Sequence, residues 1–199
     1  MNILLISANT EKINMPALPM GLGFVAAAVQ RTGHSLHFLD LMGVENPEKM
    51  AESTLKTFRA DVIGISIRNV DDQVSANPRF LIKDAADLVT LCKKLSSAPI
   101  VLGGAGYSLF PQAMLEYLNA DMGIQGEGET AFTELLNCME MEKSLSGFPV
   151  FISGEKVCRL RVSASGLING LSLTRIFLIP VFPKTRTITF PFTPAAAVP

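Results

Sequence analysis

Pro99–Ser108 reads Pro-Ile-Val-Leu-Gly-Gly-Ala-Gly-Tyr-Ser, a short apolar run that ends in three glycines within four residues. Entered through a proline and left through Gly103, Gly104 and Gly106, it has the pattern of a buried parallel strand. Glycines at the carboxyl end of such a strand let a second backbone or a ligand approach closer than a Cβ would allow. In open α/β sheets that end is also where ligands bind. A tight strand-to-helix turn with no ligand explains the same glycines. The flanking chain must separate the two.

Working outward, strand and helix patterns alternate. Asn2–Ser7, Ser35–Asp40, Val62–Ile67, Ile100–Leu102 and Asp121–Ile124 read as strands. Gly21–Thr32, Pro47–Arg59, Lys83–Leu95, Pro111–Leu118 and Thr130–Met141 read as helices between and after them. Five such alternations predict a doubly wound parallel sheet with right-handed crossovers. Two connections are long, Ala8–Pro19 after the first strand and Arg68–Phe80 after the third. Both leave the carboxyl edge beside the glycine turn, and long loops in a compact domain are usually functional or disordered. Past Met141 the alternation stops. Phe148–Ile152 and Lys156–Val162 read as a β-hairpin around Ser153-Gly154-Glu155. From Ser163 onward there is neither helical nor strand periodicity, so residues 163–199 are expected to be an irregular tail. Residues 1–145 form the predicted domain, and 146–162 a hairpin connector.

Charge follows the same division. Residues 1–155 hold all 18 acids and 11 of the 17 bases, whereas 156–199 hold six bases and no acid. The acidic part has no basic cluster to follow a phosphate backbone, which argues against nucleic-acid binding. Cys92, Cys138 and Cys158 are widely spaced and odd in number, the pattern of reduced core cysteines in a cytoplasmic protein. The N-terminal apolar run is too short for an export signal, and Ile176–Phe182 is too short for a bilayer, which needs roughly 20 apolar residues. No membrane partner is expected.

Several chemistries lack their parts. Gly21-x-Gly23-x-x-Ala26, with Asp40 ending the next strand, resembles a nicotinamide or flavin dinucleotide fingerprint, but a loop with two prolines separates it from the first strand. Gly126-x-Gly128-x-x-Ala131 repeats the spacing. Ser7, Ala8 and Asn9 stand where a receiver domain would carry acids, and Ser7–Thr10 lacks the glycine of a flavodoxin phosphate loop. His34 and His37 lie near the start of the second strand, far from the loop-rich edge, and read as structural. Glu127 and Glu129 suit either an acid/base pair or a helix start, with the latter favoured for Glu129. Arg68, Asn69, Asp71 and Asp72 open the second long loop, and Arg68 has only the crevice or its rim to enter.

An ordered series of segments carries a resemblance. Ala8 and its loop, Leu18-Pro-Met-Gly-Leu-Gly23, Gly33-His34, Asp61–Asn69, Ala98–Gly106 and Gly126-Glu-Gly-Glu129 together resemble the N-terminal cobalamin-binding domain of radical S-adenosylmethionine enzymes. The resemblance covers about residues 1–155. It implies a flavodoxin-like five-stranded parallel sheet of order 2-1-3-4-5, with the corrin ring over the carboxyl edge and the nucleotide tail beside the sheet. It implies cofactor-binding roles for Asn9, Thr10, Ser66, Arg68 and Asn69. The same role falls to Gly103, Gly104, Ala105, Gly106 and Tyr107, and to Gly126, Glu127 and Gly128. Among these, Ser66 corresponds to the serine beside the dimethylbenzimidazole. Many cobalamin domains ligate cobalt through the His of Asp-x-His-x-x-Gly after the first strand; no His stands there in this chain. Arg68 is the candidate residue beneath the ring, and a guanidinium cannot coordinate cobalt. An unligated lower face suits methyl transfer. Radical enzymes of this kind continue into a barrel carrying Cys-x-x-x-Cys-x-x-Cys, which holds an iron–sulfur cluster. That motif is absent here. The expectation is therefore a cobalamin domain without catalysis of its own. Its partner would be a radical domain in cis that is missing from this chain, with S-adenosylmethionine and the cluster bound there; truncation or a frame shift near residue 160 would account for the tail. A nucleotide-dependent oxidoreductase domain and a ligand-free interaction module stay open as alternatives.

Overall fold

The computed structural model describes residues 1–11, 18–72, 76, 79–141, 150–153 and 156–159. Its strands are β1 (Asn2–Ser7), β2 (Ser35–Asp40), β3 (Val62–Ser66), β4 (Ile100–Gly103), β5 (Met122–Gln125), β6 (Val150–Ser153) and β7 (Lys156–Arg159). The helices are α1 (Met20–Arg31), α2 (Pro47–Thr57), α3 (Ile82–Leu95), α4 (Ala105–Leu109), α5 (Pro111–Tyr117) and α6 (Glu129–Met141). Strands β1 to β5 are parallel in the order β2-β1-β3-β4-β5. This is the doubly wound parallel sheet expected from the alternation, in the flavodoxin-like order that the resemblance implied.

Two features depart from expectation. The hairpin does not stand apart as a connector: β6 pairs in parallel with β5 and antiparallel with β7, which extends the sheet to seven strands. Its backbone satisfies the edge that β5 would otherwise leave unpaired. Second, the segment after β4 forms two helices where the sequence suggested one. Phe110 takes an extended φ of −140° ahead of Pro111, because a residue before proline is pushed out of the helical region. Pro111 then starts α5, where its missing N–H costs nothing. The tail expected at 163–199 lies outside the described residues.

The sheet divides the core. From one face of β1, Leu4 and Ile6 pack with Ala51 and Leu55 of α2, Leu88 and Val89 of α3, and Met114 and Leu115 of α5. From the other, Ile3 and Leu5 pack with Leu22, Ala26 and Val29 of α1 and Phe132, Leu135 and Leu136 of α6. Strand side chains alternate between faces, so each apolar run supplies both layers. Four helices cover the first face and two the second. That imbalance positions the site.

Candidate functional site

Between the two-helix face of the sheet and α1 and α6 lies a cavity of about 900 Å³, open at the carboxyl edge. Its floor has two levels. Nearest the mouth, Ser7, Ser66 and Gly103 sit side by side in the parallel register. Two residues deeper, the adjacent row is Leu5, Gly64 and Val101, with no polar side chain. Leu22 and Val25 of α1 and Phe132 of α6 form the facing wall. A Cβ on Gly64 would stand 2.6 Å from Leu5 Cδ2 and 3.4 Å from the Phe132 ring. A glycine in the middle of β3 therefore keeps the floor low.

Three loops frame the mouth. The first contributes Asn9, Leu18 and Met20, and the last two side chains are 76% and 59% exposed while lining the opening. The second contributes Arg68. Its chain runs against the glycine turn after β4: Ile67 N–H donates to Gly103 O at 2.8 Å, and Ile67 O accepts from Gly106 N–H at 2.9 Å. Gly104 has φ 97° and ψ 170°, a conformation essentially reserved for glycine, and a Cβ there would meet Ile67 O at 2.6 Å. The third loop, Gly126–Glu129, is tied to the turn by Ser108. Its Oγ donates to Gly104 O at 2.9 Å and accepts from Gly126 N–H at 2.9 Å, and Gln125 Nε2 donates to Ser108 O at 3.2 Å. Glu129 opens α6, where its charge complements the helix dipole.

The description "B12 binding domain" matches residues 6–136. The chain belongs to that family. It is 25% identical over 137 residues to tryptophan 2-C-methyltransferase of Streptomyces laurentii, covering 68% of this chain and 23% of that protein. It is 30% identical over 131 residues to cytidylyl-2-hydroxyethylphosphonate methyltransferase of Streptomyces wedmorensis, covering 57% of this chain and 23% of the other. The solved structure of the radical S-adenosylmethionine methyltransferase TsrM from Kitasatospora setae, with cobalamin and a [4Fe-4S] cluster bound, superimposes with a TM-score of 0.67 at 25% identity. That match covers 73% of this chain and 26% of TsrM. The chain thus spans about a quarter of the length of these relatives.

Within this B12 binding domain the anticipated residues separate. Asn9, Ser66, Arg68, Gly103, Gly104 and Ala105 line the cavity, as do Gly126, Glu127 and Gly128. Thr10 and Asn69 do not; they border a recess of about 10 Å³ with Ala8, Leu81 and Ala85, room for about one water. Gly106 lies off the cavity because it packs on the chain itself, where a Cβ would stand 2.9 Å from Arg68 O. Tyr107 is the clearest correction. It points to the opposite face, fully buried, with its ring laid into the notch at Gly123. The close approaches expected for a ligand at Gly104 and Gly106 are made by the β3 loop. Residues that the sequence did not single out are Ser7, Gly64 and Ser108 at floor and mouth. A glycine inside an apolar strand was the available signal for Gly64.

The dinucleotide fingerprint needs its first glycine directly after β1, whereas Gly21 and Gly23 lie in the first turn of α1, beyond the long loop that follows Ser7. Asp40 accepts from Met42 N–H at 3.1 Å, closing a local turn. The second long loop is clasped by an antiparallel bridge between Asp71 and Phe80, with Asp72 Oδ1 accepting from Arg79 N–H at 3.1 Å. Neither histidine reaches the cavity: His34 Nδ1 lies 3.3 Å from the N-terminal amine, and His37 packs on Phe58. Cys92 is buried in the four-helix side, which pushes its thiol pKa up to about 12. Cys138 is exposed on α6, not in the core as expected. Among the described residues no three His, Cys, Asp or Glu side chains cluster to hold a metal, and no helix is long and apolar enough to cross a membrane.

Proposed function

We propose that this chain binds cobalamin with the nucleotide tail in the cavity beneath α1 and α6 and the corrin ring over the carboxyl edge. One observation carries the reading: a cavity of about 900 Å³ beside the sheet, open at the edge where the three loops converge. Small-molecule and cofactor sites are typically apolar clefts of about 300–1,000 Å³ with a few placed polar groups. The residues fit the group. The apolar walls accept an aromatic base, Ser7 and Ser66 supply hydroxyls near the mouth, and Leu18 and Met20 offer apolar surface that a ring would cover. TsrM, of similar fold, carries cobalamin in its solved structure.

When bound, the cofactor supplies a cobalt centre able to carry a methyl group. The chain's own residues hold and shield it. Ser66 donates a hydrogen bond to the tail base, and Asn9, Arg68 and Glu127 meet the polar side chains of the ring. The glycine turn keeps the rim low. With both histidines away from the mouth, this chain contributes no imidazole to cobalt. We place the whole as the cobalamin domain of a longer, cytoplasmic methyltransferase-like enzyme, with the β6–β7 hairpin as the last part of its sheet and a catalytic radical domain as its partner in cis. The substrate and the reaction belong to that domain.

The test is direct. Mixing the purified chain with hydroxocobalamin and desalting should leave a corrin absorption spectrum on the protein at about one equivalent. A colourless protein fraction overturns the proposal.

A further inference from the structure

At the amino edge of the sheet, opposite the cavity mouth, three segments meet at Met1. Its α-amine stands 3.3 Å from His34 Nδ1 and 3.5 Å from Glu140 Oε1, and those two atoms are themselves 3.5 Å apart. Gly33, at φ 83°, follows α1 and turns the chain so that His34 directly precedes β2. Glu140 lies in the last turn of α6. An ammonium carries only donors, so Nδ1 accepts from it and the imidazole proton lies on Nε2. The His34 side chain is 4% exposed, and Nε2 meets no partner among the described residues. The amine and the carboxylate are therefore the polar groups that this buried ring has to face.

The spacing is poor for hydrogen bonds and good for a metal. Hydrogen bonds from nitrogen usually close to about 2.7–3.2 Å, the charge-assisted ones at the short end. All three distances here are longer. Around zinc, nitrogen and carboxylate ligands stand about 2.0–2.2 Å from the ion, which puts tetrahedral neighbours about 3.4 Å apart. The triangle has close to that edge on every side. Two nitrogens and one carboxylate oxygen suit zinc, whereas magnesium and calcium take oxygen. We infer that the Met1 α-amine, His34 Nδ1 and Glu140 Oε1 form a three-ligand site for a zinc ion. Glu140 is 46% exposed, which leaves the fourth position open to water. Binding releases the ammonium proton to solvent and keeps the imidazole tautomer already present. The ion ties the starts of β1 and β2 to the end of α6 and so stabilises the folded chain. One ligand is a main-chain amine, which no side-chain motif announces.

The test titrates the untagged chain, free of cobalamin, with zinc against a chromophoric chelator. One zinc per chain should bind, and the melting temperature should rise with zinc and fall back with EDTA. Glu140→Gln, at an exposed position, removes one ligand and should weaken zinc binding at least about tenfold. A glycine added ahead of Met1 displaces the amine and should weaken it to a similar extent. Cys138→Ser, exposed on the same helix, should leave the affinity unchanged. Cobalt(II) in place of zinc should give the visible bands of a tetrahedral site without a thiolate charge-transfer band. No zinc bound, or full affinity in Glu140→Gln or in the extended chain, overturns the site. A thiolate band, or loss of zinc in Cys138→Ser, overturns it too, by assigning the metal to cysteine. None of these outcomes bears on the cobalamin reading, whose test is separate.

Discussion

The two faces of the sheet are built from the same five parallel strands and end in opposite conditions. On the four-helix side a glycine notch, Gly123, is filled by the ring of Tyr107. On the two-helix side the corresponding notch, Gly64, borders an open cavity. Both glycines interrupt an apolar strand, and neither has a positive φ. What separates them is the cover. With α2, α3, α4 and α5 packed on one side the chain supplies its own filler; with only α1 and α6 on the other, a space remains for something else. A strand glycine thus marks a close approach without saying whose.

The largest expected effect breaks the filled side. In Gly123→Ala the new Cβ would overlap the Tyr107 hydroxyl and ring, and Tyr107 is fully buried with no easy exit. Overpacking of this kind should lower unfolding stability by about 3 kcal/mol or more in denaturant titration. A loss under about 1 kcal/mol would mean that Tyr107 leaves its notch readily, and the contrast between faces would fail. Gly104→Ala comes next, at the rim between them. It combines a glycine-only backbone conformation with a carbonyl 2.6 Å from the new Cβ, so a loss of about 2 kcal/mol is expected. Because Gly104 also lines the cavity, cobalamin retention should fall with it. Normal retention in a folded Gly104→Ala protein would remove the turn from the cofactor seat.

The fold was legible because buried parallel strands print as unbroken apolar runs, and Asn2–Ser7 and Ile100–Gly103 admit little else. The carboxyl edge was legible for a similar reason: the long loops and the glycines fall on one side of every strand. Individual site residues were harder. Tyr107 follows the glycines directly, yet the five-residue helix α4 turns it to the far face, and adjacency in sequence does not report that rotation. Gly64 was hidden inside Val-Ile-Gly-Ile-Ser, where its role depends on Leu5 and Phe132 from distant elements. The attachment of β6 to β5 depends on a free strand edge, which exists only once the sheet is assembled.

Ser108 was illegible for the same reason, since one of its bonds reaches Gly126 across 18 residues. It sharpens the comparison because it joins the two glycine loops at the mouth. Ser108→Ala leaves Gly126 N–H and Gly104 O without that partner, at a cost of about 1 kcal/mol in stability. If the loops hold cobalamin, the dissociation constant should rise by about fivefold, in line with one hydrogen bond's worth of ordering. Thr at this position retains the hydroxyl and should restore most of the affinity. A stability loss with unchanged affinity would make the staple structural only.

The smallest effect concerns Tyr107 itself. Its hydroxyl is buried with no hydrogen-bond partner among the described residues, and burial pushes its pKa from 10.0 up to about 12. Tyr107→Phe removes an unsatisfied polar atom and should raise stability at neutral pH by about 0.5–1 kcal/mol. The alkaline limb separates the variants further. The folded chain holds the phenol proton more tightly than the unfolded chain does, so the stability this contributes is intact below pH 10 and is lost as pH rises toward 12. Cys92, raised from 9.0 to about 12 by burial, adds a decline with the same sign from about pH 9 in both proteins. Subtracting the Phe curve from the parent curve leaves the phenol alone, a difference that stays flat to pH 10 and widens beyond it. Cobalamin affinity should not change, because Tyr107 serves the filled face. An altered affinity in Tyr107→Phe would show that the two faces communicate through the glycine turn, and the division between a packed side and a binding side would have to be redrawn there.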